Sequence, residues 1–241
     1  MPPTNQVSRK LVFIQSLLGI GAYVAIALPF LRRAHGVKRL LPAQRYLFVA
    51  NHVSLLDTIL LGAICWRSGN YPILTLGDKN VWNASRLKRL LSRHIGFLVE
   101  RGKLNPHCVL ELQFFGRQSQ HMNLVVFPEG TRGDGVTVAE CQPGIYFIAQ
   151  AARVPIVPVF IENMHLVSTK TGGFHPVTGF RKVELHFGEP IPPEKYLALP
   201  REEFLKLIRE KIATARQPQS AAISTAIKTA GVPASHPPPL G

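Results

Sequence analysis

Apolar positions along the chain fall into two periods. Residues 46–50, 71–76, 97–99, 124–127, 154–160 and 183–187 form short runs rich in β-branched and aromatic side chains, each of strand length. Between most of them, apolar residues recur at three- and four-residue spacing, over 55–66, 84–94, 106–116 and 142–152. A last helix is expected from Pro200, with Phe204, Leu205, Leu207, Ile208 and Ile212 on one face. Strands alternating with helices predict the α/β class: a single layered domain with a mostly parallel mixed sheet flanked by helices. Pro155 and Pro158 cannot donate to a ladder, so the run 154–160 is expected at an edge or as the wall of a cleft.

One stretch fits neither period. Residues 11–31 hold no charge across 21 positions, and as helix that length covers about 32 Å, enough for the hydrocarbon of a bilayer. Arg9 and Lys10 precede it, while Arg32, Arg33, Lys38 and Arg39 follow, so the heavier positive flank is expected on the cytoplasmic side. A signal peptide is disfavoured because no small-x-small cleavage site precedes the basic cluster, and a buried core helix because the apolarity is continuous. Gly19, Gly21 and Pro29 leave two membrane readings open, a helix that spans and one that dips into a single leaflet. Residues 1–39 are therefore read as an N-terminal membrane-anchoring helix with its basic flank, and 40–216 as the body. Residues 217–241, with five prolines, no acid and one lysine, are read as a disordered Pro/Ala-rich tail.

Composition narrows the function. At ~150 residues per domain, 241 residues allow one core with appendages, and 46% hydrophobic against 17% charged residues excludes disorder for the bulk. Twenty-eight Lys plus Arg against 14 acids give +14, a preference for polyanions, phosphate esters or an anionic membrane. No interleaving of aromatic and basic residues marks a nucleic-acid platform, so no nucleic-acid partner is expected. Cys65, Cys108 and Cys141 lack paired spacing, which argues against zinc and disulfides. No repeat of 20 to 50 residues points to a solenoid.

Candidate chemistry collects where strands end. After Ala50 the first strand breaks into Asn51-His52-Val53-Ser54-Leu55-Leu56-Asp57, placing His52 at a strand-to-helix turn. If the chain is helical from about Ser54, the Asp57 carboxylate can fold back onto one imidazole nitrogen and leave the other as acceptor, the general-base half of a triad. No Ser, Cys or Thr nucleophile at a strained elbow accompanies it, so the proton taken would belong to a substrate. The alternative is a capping His and a helix-turn Asp with structural bonds only. Phe127-Pro128-Glu129-Gly130-Thr131-Arg132 also follows a strand: Pro128 stops it, Gly130 permits an unusual turn, and Arg132 could fork onto a phosphate, or pair with Glu129 as a solvated turn. Gly96 begins a third such strand, which delivers Glu100 and Arg101. From Arg86 to Lys103 there are six cations and one acid. Lys79, Arg101 and Arg132 together would suit a phosphate monoester, whereas Arg86, Lys88, Arg89 and Arg93 read as helix-surface charge or headgroup contacts.

Asn51-His52 with Asp57, then 96–101, then Glu129-Gly130-Thr131-Arg132, then 154–159 resemble, in order, the four motifs of the glycerolipid acyltransferases, specifically the 1-acyl-sn-glycerol-3-phosphate acyltransferases. The resemblance covers roughly residues 40–190. It implies a membrane-associated enzyme that moves a fatty acyl group from an acyl thioester, on acyl carrier protein or coenzyme A, to the sn-2 hydroxyl of 1-acyl-glycerol-3-phosphate. By that resemblance His52 is the base, Asp57 holds its tautomer, and no acyl-enzyme forms. It assigns Lys79, Arg101, Glu129, Gly130, Thr131 and Arg132 to the acceptor's phosphate, with Asn51, Gly96, Pro128 and Pro155 as supporting motif residues. No metal and no cofactor beyond the thioester co-substrate is expected, and the cytosolic face of an inner membrane is the expected location. Three departures bear on acceptor choice: Gly133 where the family usually has Ser, Glu100 in a common Asp position, and Asn80-Val81 after Lys79. Another lysolipid as acceptor, such as a lyso-ornithine lipid or a phospholipid being remodelled, is the alternative within enzymes, and a non-catalytic membrane-binding protein the alternative outside them.

Overall fold

The computed structural model describes residues 9–42, 44–83, 86–99, 110, 112–113, 122–169, 171 and 173–216. Strand β2 (Leu47–Ala50) shows why the pattern reads as a layered sheet: all four residues are fully buried, because both faces of the strand are covered. Phe48 and Ala50 pack with Leu60, Leu61 and Ile64 of α3 (Leu55–Arg67). Leu47 and Val49 face the other way, onto Ile145 and Ile148 of α6 (Gly144–Ala152) and Phe204 and Ile208 of α8 (Arg201–Thr214).

The remaining elements are α1 (Arg9–Ala22), a π-helical turn (Tyr23–Ala27) leading into α2 (Leu28–Phe30), β1 (Leu31–His35), β3 (Ile73–Asp78), α4 (Lys79–Asn83) and α5 (Arg86–Ile95). They continue with β4 (Gly96–Val99), β5 (Asn123–Val126), β6 (Ile156–Glu162), the single turn α7 (Pro176–Gly179) and β7 (Val183–Phe187). The sheet has seven strands in the order β1-β7-β6-β2-β5-β3-β4. β2 to β6 run parallel to one another, β7 is antiparallel to β6, and β1 is parallel to β7. The carboxyl ends of β2, β3, β5 and β6 therefore share one end of the sheet, where open α/β sheets place their functional groups.

Two expectations change, and a third gains detail. The end of the apolar run and the start of its basic flank, residues 31–35, form the edge strand β1, so part of the segment before residue 40 is woven into the sheet. Its Leu-Arg-Arg-Ala-His sequence alternates poorly because Arg32 and Arg33 are both exposed across a register irregularity. The run with the two prolines is not an edge: β6 lies between β7 and β2. Pro158 is tolerated there because pairing with β7 covers only Val159–Glu162 and resumes as an isolated bridge at Ile156–Ile191, so the missing N–H falls in the gap. The apolar run 11–31 is helical to Phe30, and it is docked. Gly19 lets α1 approach α3, since a Cβ there would meet the Trp66 ring at 2.5 Å. Tyr23 leans on the same indole, with ring centroids 6.4 Å apart. Gln15, buried in mid-helix, donates to Ile73 O at 3.0 Å and His94 O at 2.6 Å and accepts from Ile73 N at 2.8 Å. The opposite stripe, Phe13, Leu17, Ile20, Val24 and Leu28, stays exposed. Residues 217–241 and most of 106–116 lie outside the described residues.

Candidate active site

Where β2 runs out at Ala50, a side chain continues its ladder. Asn51 is buried, its Nδ2 donating to Ile161 O at 3.0 Å and its Oδ1 accepting from Ile161 N at 2.6 Å, so the chain leaves the sheet held to β6. His52 follows, and Ser54 caps α3. The Ser54 hydroxyl accepts from Leu56 N at 3.1 Å, and Asp57, at the third helical position, accepts from Ser54 N at 2.8 Å, closing a capping box. The same carboxylate oxygen, Asp57 Oδ2, accepts from Val53 N at 2.5 Å and lies 2.8 Å from His52 Nδ1. The capping carboxylate is thus also the one that orients the imidazole. Asp57 is fully buried, whereas the His52 side chain is 21% exposed, so Nε2 is the ring nitrogen left for chemistry. The ring stacks on Phe127, 4.1 Å between centroids and 20° between planes, which fixes its tilt.

The turn after β5 holds His52 from below. Glu129 was grouped by resemblance with the acceptor's phosphate, but its carboxylate points inward. It is 3% exposed, Oε1 accepts from His52 N at 2.9 Å, and Oε2 accepts from Ala139 N at 3.3 Å. Burial raises its pKa, and the two amide bonds and the nearby His52 pull the other way. Gly133 N donates to His52 O at 2.7 Å, so the His52 peptide is gripped at both ends by the 129–133 loop. A Cβ at position 133 would come within 2.9 Å of Glu129 Oε2, which ties the Gly133 departure to this grip. Gly130 makes the turn possible with φ of 67°. Thr131 and Arg132 are exposed beyond it.

Lys79 starts α4 directly after β3, exposed at the same end of the sheet as His52 and Arg132. Gly96 and Pro155 open β4 and precede β6, at the opposite end. There Gly96 packs against the Ser92 backbone, and Pro155 O accepts from Leu47 N at 3.0 Å. Glu100 and Arg101 lie outside the described residues. The signal that could have found the capping box is Ser54-x-x-Asp57 ahead of an apolar helix. Neither the Phe127 platform nor the inward turn of Glu129 leaves such a mark. Cys65 and Cys141 are buried and burial raises both thiol pKa values, that of Cys141 to about 12, so neither offers a thiolate.

A second polar cluster lies along the β1, β7 and β6 edge. His35, Glu184 and His186 bring their ligand atoms within 4.8 Å of one another. Their two rings are stacked, 4.7 Å apart and 7° from parallel, so the in-plane lone pairs run side by side rather than onto one shared point, the wrong aim for a metal. The groups bind each other instead: His35 Nε2 is 2.8 Å from Glu184 Oε2, and His186 Nε2 is 3.0 Å from Glu162 Oε2.

A family model described as Acyltransferase matches residues 32–162. The 1-acyl-sn-glycerol-3-phosphate acyltransferase of Saccharomyces cerevisiae is 29% identical over 143 residues, 56% of this chain and 45% of that protein. The lyso-ornithine lipid O-acyltransferase of Pseudomonas aeruginosa is 31% identical over 140 residues, 58% and 50% of the two chains. The chain thus spans about half the length of the curated relatives it matches. Among solved structures, the 1-acyl-sn-glycerophosphate (LPA) acyltransferase of Thermotoga maritima shares the fold, with a TM-score of 0.64 at 16% identity over 88% of this chain and 85% of that one.

Proposed function

The chain belongs to the acyltransferase family, and from that premise we propose that it transfers a fatty acyl group from a thioester to the sn-2 hydroxyl of 1-acyl-glycerol-3-phosphate, giving phosphatidic acid. The observation that carries the reading is the His52–Asp57 pair: an imidazole whose Nδ1 meets a fully buried carboxylate at 2.8 Å, itself tethered by two backbone amides. His52 Nε2 takes the proton of the acceptor hydroxyl as its oxygen attacks the thioester carbonyl. The tetrahedral intermediate then expels the thiolate of the carrier protein or coenzyme A, and the imidazolium returns the proton to that sulfur. The hydroxyl of Ser54 accepts the Leu56 amide as the helix cap, which suits direct transfer without an acyl-enzyme. Arg132, Lys79 and Arg101 are assigned to the acceptor's phosphate, with Gly130 and Thr131 shaping the loop. Glu129 is a positioning residue that holds the His52 backbone.

The exposed stripe of α1 holds the body to the cytosolic face of an inner membrane, where the acceptor resides. With one face packed on α3, the helix lies in one leaflet instead of standing free across both. A second reading, a lyso-ornithine lipid as acceptor, is favoured by the similarity to an enzyme of that name. Radiolabelled acyl transfer with detergent-solubilised protein separates the two, offering lysophosphatidic acid, lysophosphatidylcholine and lyso-ornithine lipid with each donor. Acylation of lysophosphatidic acid that is lost in His52→Ala is the expected result. Turnover of a different lysolipid moves the headgroup and keeps the chemistry, and no turnover with any pair sinks the enzyme reading.

A further inference from the structure

The connection from β6 to β7 leaves Glu162 and returns at Val183 antiparallel to it, so it lies at the His52 end of the sheet. It carries Phe174, Val177 and Phe180, which are 55%, 88% and 60% exposed. A loose loop can hide such residues by folding over them, but residues 174–181 are fixed. His175 N donates to Val167 O at 2.7 Å, and Thr178 Oγ1 donates to Leu166 O at 2.9 Å. Arg181, held at φ of 53°, donates its amide to Pro29 O at 2.8 Å. Phe174 meets Phe30 edge-on at 5.8 Å. These last two contacts clip the connection to the end of the apolar helical run, next to the exposed Leu28. The exposed apolar residues of the connection are therefore anchored at the end of the α1 stripe.

Large apolar side chains held exposed together on a fixed segment mark an interaction site. The charges beside it choose the partner. Arg33, Arg181 and Lys182 are exposed there, Arg32 beside them is paired with Glu184, and residues 163–182 contain no acidic side chain. A basic rim around an apolar patch fits the headgroup-to-acyl boundary of an anionic bilayer. The internal hydrogen bonds of the connection also keep those backbone groups paired as it leaves water. We propose that residues 174–180 form a second membrane contact beside α1, turning the His52 end of the sheet toward the bilayer from which the acceptor comes. The inference rests on the reading that the acceptor is a bilayer lipid.

The test uses the full chain with Val177→Cys on a Cys108→Ser background, labelled with the polarity-sensitive fluorophore NBD. Lys206→Cys on the exposed face of α8 is the reference. With vesicles of phosphatidylcholine and about one-third phosphatidylglycerol, the label at 177 should brighten, shift to the blue and be quenched by lipids brominated on their acyl chains, while the label at 206 stays unchanged. Val177→Asp with Phe180→Asp should weaken vesicle binding by about tenfold and leave turnover of micelle-dispersed acceptor unaltered. A silent label at 177 on protein that co-sediments with vesicles overturns the proposal, as does a change at 177 that follows protein concentration without lipid, which would mark contact between copies. Because the fluorescence needs no turnover, an inactive protein whose label inserts leaves this contact standing and removes the acceptor assignment.

Discussion

At the scale of single residues, His52 is held by more of the chain than its proposed pairing with Asp57 requires. Its ring is fixed by Asp57 and Phe127, and its peptide by Glu129 and Gly133. The two acids hold different parts of the residue and should fail differently. Asp57→Asn keeps an acceptor for the Val53 and Ser54 amides and removes the charge that stabilises an imidazolium. The expected outcome is a folded protein whose kcat falls about 10⁴-fold, on the precedent of other His-carboxylate pairs. Glu129→Gln offers one oxygen and one NH2 to two amide donors, so either His52 N or Ala139 N loses its acceptor and the imidazole is displaced without losing its charge partner. A displacement of this kind costs about 100-fold. Steady-state kinetics should place that loss in kcat with KM little changed, whereas a lost phosphate contact would raise KM.

At the scale of elements, the β1, β7 and β6 edge is a register-built network. β1 reaches the sheet through Arg32, 3.3 Å from Glu184 Oε1, and through His35 stacked on His186. Glu162 is shared between His186 and Arg216, which follows α8. Burial lowers the pKa of His186 below its ordinary 6.5, although Glu162 pulls it up. For Glu184, burial acts upward, and the bond from His35 with the surrounding cations outweighs it, leaving the pKa below 4.5. Both groups thus bind fewer protons folded than unfolded, His186 from about 6.5 downward and Glu184 from about 4.5 downward. The stability they contribute is complete above those values and is lost as pH falls through the folded-state values. Thermal melts should therefore show Tm falling on acidification below pH 6.5, and His186→Asn should flatten the first part of that fall. A Tm independent of pH between 7 and 5 would contradict this account.

At the scale of the whole molecule, the N-terminal segment is part of the fold as well as the proposed membrane contact. α1 covers α3, Ala27 and Phe30 belong to the core, and β1 closes one edge of the sheet. A chain beginning at residue 40 would expose Trp66 and the α3 face, leave Ile73 N, Ile73 O and His94 O without the Gln15 side chain, and free a new edge on β7. Each buried polar group left unpaired costs about 1–3 kcal/mol, against a total stability of about 5–15 kcal/mol. Such a truncation is expected to aggregate or to lose its cooperative unfolding transition. A soluble 40–216 fragment with a sharp melt would show that the helix is only an appendage.

What the sequence determined by itself is what local physics writes into consecutive residues. The buried strands read as β-branched runs, the helices as 3.6-residue periods, and α3 begins where Ser54-x-x-Asp57 supplies a cap. The H-x4-D spacing was legible for the same reason, since one turn of helix is enough to return Asp57 to His52. The tertiary structure alone decided which strands are neighbours, and with that everything joined across the sheet. Phe127 under His52, Glu129 turned onto the His52 amide, Asn51 bonded to Ile161, and His35 stacked on His186 join residues 75 to 151 positions apart. Pairing at such separations is set by strand order and register, which no window of consecutive residues contains. β1 was hidden for the same reason: Leu-Arg-Arg-Ala-His has no strand period of its own and becomes a strand only because β7 is there to pair with it.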